Sequence, residues 1–123
     1  MRKIQSFQDL NIWQEGHNLA LEIYKLTENF PKKEEYGLIS QIRRAASSVP
    51  ANIAEGMGRK TTKELLTFTY NARGSLSEVI NHLILSKDLG YIDDKEFTNL
   101  CQRYNGLTRG INVFLSGLKR RLS

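Results

Sequence analysis

Between Gln41 and Gly58 the chain reads QIRRAASSVPANIAEGMG, and the spacing inside this stretch restricts the fold more than any other feature. On a helix, Leu38, Ile42, Ala45, Val49 and Ile53 share one apolar face at steps of four, three, four and four. Gln41, Arg44, Ser48, Asn52 and Glu55 form a second, polar stripe on the same period. The positions between are small (Ala46, Ser47, Ala51, Ala54), so a neighbouring helix can come close. A long Arg or Glu buried at such a contact needs a partner. Pro50 lies inside the pattern, removes one backbone hydrogen bond and is expected to bend or locally open the helix.

The remainder repeats the helical period. Ser6 and Asp9 have capping-box spacing and predict a first helix over about 7–29, stopped by Phe30-Pro31. Its apolar residues form two tracks: Ile12, Leu19, Ile23, Leu26 and Phe30, and then Leu10, Trp13, Ala20 and Tyr24. A helix apolar on two sides must be covered on two sides, which raises the expectation of another subunit. The second helix is expected over about 35–55, with Gly56-Met57-Gly58 supplying a left-handed cap. Thr61 with Glu64 opens a third over about 62–89, carrying Leu65, Thr69, Ala72, Leu76, Val79 and Leu83 on one face. Asn71, Ser75, Glu78 and His82 form its polar stripe. Asp93 with Glu96 opens a fourth over about 93–121, with a heptad of Phe97, Leu100, Tyr104, Leu107, Ile111, Phe114 and Leu118. No strand pattern competes. The 123 residues thus predict a single all-α domain, an antiparallel up-down four-helix bundle.

Composition narrows the function classes. No apolar run approaches the roughly 20 residues of a membrane span. Met1-Arg2-Lys3 leads straight into an amphipathic segment without a signal-peptide core. The lone Cys101 excludes an intramolecular disulfide and fits a reducing cytoplasm, with a helix-seam role for the thiol itself. The net charge of +5 is uneven: residues 31–60 carry six basic and three acidic groups, and residues 97–123 carry five basic groups and no acid. Such clustering favours an anionic partner.

Chemistry finds little support. His17 and His82 both lack the Glu three residues before them that a di-iron bundle site requires. Glu78 and His82 share a face but supply at most two metal ligands. Ser47 and Ser48 have no histidine near in sequence to act as base. Gly56-Met57-Gly58-Arg59-Lys60 lacks the phosphate-loop pattern and reads as a helix cap, though Arg59 and Lys60 could touch a phosphate there. The expectation is therefore no enzyme, no metal and no cofactor. If the polar stripes of the second and third helices face each other, Arg44 would pair with Glu55 or Glu78, with Asn52 and Ser75 completing a network that sets register. The competing reading is a solvated helix face.

The motifs Asp9-Leu10-Asn11-Ile12-Trp13, Phe30-Pro31 with Glu35-Tyr36-Gly37-Leu38, the whole run from Gln41 to Gly56, and Gly74-Ser75-Leu76-Ser77-Glu78 carry a resemblance. Over about Phe7 to Leu118 the chain resembles a bacterial four-helix-bundle family that includes proteins encoded in intervening sequences of 23S rRNA genes. The accessory proteins of diversity-generating retroelements are similar. The resemblance implies a ring-shaped homopentamer, a positively charged surface and binding of RNA or DNA, with a reverse transcriptase as partner in the retroelement branch. It implies no catalysis.

Together these readings lead to a non-enzymatic, oligomeric protein that binds nucleic acid, structured RNA first, through phosphate contacts. The candidate residues are Arg43, Arg59, Lys60, Arg103, Arg109, Lys119, Arg120 and Arg121. A charge run is commonly no more than a solvated face, and the rival expectation is a protein-interaction scaffold or accessory subunit.

Overall fold

Apolar periodicity becomes four helices in a computed structural model that describes residues 4–123: α1 (Asn11–Thr27), α2 (Leu38–Met57), α3 (Thr62–Asp88) and α4 (Asp94–Leu122). Met1-Arg2-Lys3, the expected lead into the first helix, lie outside the described residues. There is no strand among the described residues. Each helix packs on the next in sequence, and α1 closes the arrangement against α4. The contacts run antiparallel throughout. Gly16 abuts Val49 while Thr27 meets Arg43, and Gly56 abuts Leu65 while Ser48 meets Ser75. Arg73 reaches Asn112 while Lys87 reaches Phe97, and Ile12 abuts Gly110 while Glu22 meets Arg103.

The α2 face is buried as its spacing requires. Leu38, Ile42, Ala45, Val49 and Ile53 all lie in the core, joined by Ala46 and Pro50. Each large aliphatic side chain buried there contributes roughly 1.5–3 kcal/mol relative to exposure. The helix passes through Pro50 without interruption, and the proline ring packs towards Gly16 of α1. The heptad of α4 is buried at Leu100, Tyr104, Leu107, Ile111 and Leu118, while Phe97 and Phe114 are only half-buried.

Local signals were displaced in three places. Ser6 and Asp9 do form a reciprocal capping box, but it closes a single 3-10 turn over Phe7–Asp9. Leu10 is extended (φ −78°, ψ 129°), so α1 begins only at Asn11. This break folds Phe7 back edge-on to Trp13, with ring centroids 5.2 Å apart. The left-handed cap expected after α2 is absent: Gly58 has φ −84° and its N–H bonds back to Ala54 and Glu55. The described residue with positive φ is Gly90 (φ +81°), at the α3–α4 connection. Finally, the second apolar track of α1 does not require another subunit. Of the nine residues in the two tracks only Tyr24 is exposed, because α2 and α4 flank α1 on two sides.

Candidate nucleic-acid interface

An up-down bundle of four helices places the end of α2, the start of α3 and the end of α4 at the same pole. The two basic segments of the sequence therefore meet there. Gly56 makes the pole possible, since a Cβ on it would lie 2.9 Å from both Leu65 Cδ1 and Phe68 Cβ. Only glycine lets the α2 and α3 backbones approach so closely. Thr61 then caps α3, its hydroxyl accepting from Glu64 N–H at 3.1 Å and donating to the Glu64 carboxylate at 2.9 Å.

Arg59, Lys60 and Arg121 line one cleft at this pole, with a volume of about 370 Å³. Ile4, Leu10, Met57, Leu65 and Phe114 contribute its apolar lining, and Thr61 and Thr62 also line it. Arg59 is held in place: it donates to Glu55 at 2.6 Å, lies 3.7 Å from Glu64 and stacks on Phe68 at 4.8 Å. Those carboxylates offset part of its charge. Lys60, Arg120 and Arg121 are exposed and form no ion pair among the described residues. Lys119 sits 5.3 Å from the centroid of Tyr70, a ring it shares with Arg73 at 4.9 Å. The three cations ending α4 also complement the negative end of its macrodipole, a structural reason for their presence that needs no ligand.

The other basic candidates stand elsewhere. Arg43 donates to Thr27 Oγ1 at 2.8 Å and to the Tyr24 carbonyl at 3.2 Å, and its guanidinium lies over the Tyr24 ring. It thereby satisfies the last turn of α1. Arg103 bridges α4 to α1 through Glu15 at 3.0 Å and Glu22 at 3.5 Å. Arg109 is exposed along α4, beside Gly106 and away from the pole.

The expected polar network forms only at its small members. Ser48 and Ser75 hydroxyls are hydrogen-bonded at 2.9 Å across α2 and α3, and Asn52 Nδ2 donates to Ser48 Oγ at 2.9 Å. Arg44, Glu55 and Glu78 are exposed and stay out of it. Glu55 pairs with Arg59 and Glu78 approaches His82 Nε2 at 3.3 Å. The close α2–α3 crossing leaves room for serines and turns the long side chains outward. His82 is buried, and its Nδ1 has no hydrogen-bond partner among the described residues. Half-burial pushes the Cys101 thiol above its ordinary pKa, opposed by nearby Lys87, so it sits as a helix-seam residue.

Sequence reasoning missed Phe114 and Met57 as surface-lining residues. Its heptad position places Phe114 in the core, and periodicity cannot show that α4 runs past the start of α1 at this pole. Among the described residues no three of His, Cys, Asp and Glu gather to hold a metal, and no helix is long and apolar enough to cross a membrane.

Comparison with known proteins agrees on the architecture. A crystal structure from Bacteroides thetaiotaomicron, a protein with unknown function from the S23 ribosomal protein family, superposes with a TM-score of 0.79. The two chains are 16% identical, over 85% of this chain and 95% of that one, a likeness that establishes the fold alone. No curated protein matches this chain. The family model described as 23S rRNA-intervening sequence protein matches residues 8–113, a span that includes Arg59 and Lys60 and stops before Lys119. With nearly the whole bundle inside that match, the chain belongs to the family of 23S rRNA-intervening sequence proteins.

Proposed function

We propose that this chain is a non-enzymatic, oligomeric nucleic-acid-binding protein that grips RNA phosphates with the basic pole of its bundle. The observation that carries the reading is the convergence of Arg59 and Lys60 with Arg121 on one cleft, from segments about half the chain apart. Phosphate contacts of this kind give affinity without reading bases. Self-association into a ring, the homopentamer implied by the family resemblance, would repeat the pole and multiply weak contacts. Leu21, Tyr24 and Tyr36 support such assembly, being large apolar side chains left exposed on or beside α1 and α2.

Binding of a generic single-stranded RNA should fall steeply with salt. Replacing Lys119, Arg120 and Arg121 together by Gln should weaken binding and reduce the log–log salt slope by about 2, at about 0.7 per lost phosphate contact. An unchanged slope removes the α4 terminus from the site.

A second reading, a scaffold or accessory subunit for a protein such as a reverse transcriptase, is favoured by one observation. Tyr36 is 92% exposed and, with Tyr24 and Ile39, lines a cleft of about 510 Å³ between α1 and α2. That reading takes over if no RNA is bound even at low salt.

A further inference from the structure

The polar cleft holds more than charge. A site made only for a duplex backbone needs cations on an open surface, whereas this one has an apolar interior. Phe114, Met57 and Leu65 line it, together with Arg59 and Lys60 from the α2–α3 turn and Arg121 from α4. Its volume of about 370 Å³ is at the small end of ligand sites, of the order of one nucleotide and too small for a peptide helix. Phe114 is half-buried, so part of its ring remains accessible.

We infer that this cleft takes a single unpaired nucleotide of an RNA strand, its base against Phe114 and Met57 and its flanking phosphates on Lys60 and Arg121. The inference rests on the nucleic-acid reading above and adds a preference that charge alone does not supply. Paired bases in a duplex cannot leave the stack without an unpairing cost, so single strands, loops and bulges are preferred. An acidic peptide segment would satisfy the same cations, but a cleft of one-nucleotide volume with an aromatic ring beside those cations favours a flat base.

Met57 provides the test on the unaltered protein, because Met1 is the chain's other methionine. With methyl-labelled methionine, a mixed-sequence single-stranded RNA and its perfectly paired duplex are each titrated, with occupancy followed by fluorescence anisotropy. The single strand should shift the Met57 methyl resonance through the ring current of the inserted base, and the duplex should leave it in place. Phe114→Leu should weaken single-strand binding at least about fivefold and leave duplex binding unaltered. If both RNAs bind equally and Met57 does not move, the cleft is only a charged surface and the inference is overturned, while the nucleic-acid reading stands. If neither RNA binds at low salt, both fall. If an acidic peptide moves Met57 while single-stranded RNA bound to the protein does not, the occupant is a protein segment and the inference is again overturned.

Discussion

Tyr104 is the residue whose environment departs furthest from its chemistry. It is fully buried on α4, and its hydroxyl has no hydrogen-bond partner among the described residues. Burial holds the phenol protonated far above the ordinary tyrosine value; nearby Arg103 opposes the shift and Glu15 adds to it. A raised folded-state pKa means that this contribution to stability is complete below about pH 10 and is lost as pH rises beyond it. Tyr104→Phe should therefore be at least as stable as the parent at pH 7, by up to about 1 kcal/mol, because an unpartnered hydroxyl is removed while the ring is kept. Its thermal stability should also decline less between about pH 9 and 11. Some alkaline loss remains, since a hydrogen bond to Glu34 raises Tyr91 and burial raises Cys101. A variant much less stable at neutral pH would show that the hydroxyl is satisfied after all. Periodicity identified Tyr104 as a core position, but not its missing partner, which depends on what α1 presents across the bundle.

Among the elements, the α2–α3 hairpin depends on close approach. Gly56→Ala would drive a Cβ into Leu65 and Phe68 at 2.9 Å, an overpacking cost of about 1–3 kcal/mol against a propensity gain of about 1. Gly74 lies mid-α3 with nothing within 4 Å of an added Cβ, so Gly74→Ala should stabilise by about 0.5–1 kcal/mol. Urea unfolding of the two variants compares them directly, and a Gly56→Ala protein stabilised as much as Gly74→Ala would refute the close contact. Small residues in α2 predicted that a helix would come near. They could not say that Ser48 and Ser75 would meet while Arg44 and Glu78 turned to solvent, because which flank faces inward depends on the neighbour's position. The Ser6–Asp9 box was equally visible as a cap. That Leu10 would break the helix after one turn depends on Phe7 finding Trp13.

For the whole molecule, the proposed assembly gives a solution mass that is a multiple of 14.1 kDa at micromolar concentration. Leu21→Lys with Tyr24→Lys should shift that mass downward by placing charge on the exposed flank of α1. A monomer by light scattering in the unaltered protein would overturn the oligomeric part of the proposal. Fold class follows from local order alone: a side-chain period near 3.6 and caps at Thr61 and Asp93 specify helices that the chain must bury against one another. The same order tells which face of each helix is apolar and that positive charge lies in two separate segments. Meeting of those segments is a property of the folded bundle, because antiparallel packing carries the α2–α3 turn to the end of α4. Pairing is likewise decided in three dimensions. Arg43 and Arg103 are bound to α1 partners while Lys60 and Arg121 have no ion pair among the described residues, since an ion's partner is set by distance through space and not by separation along the chain.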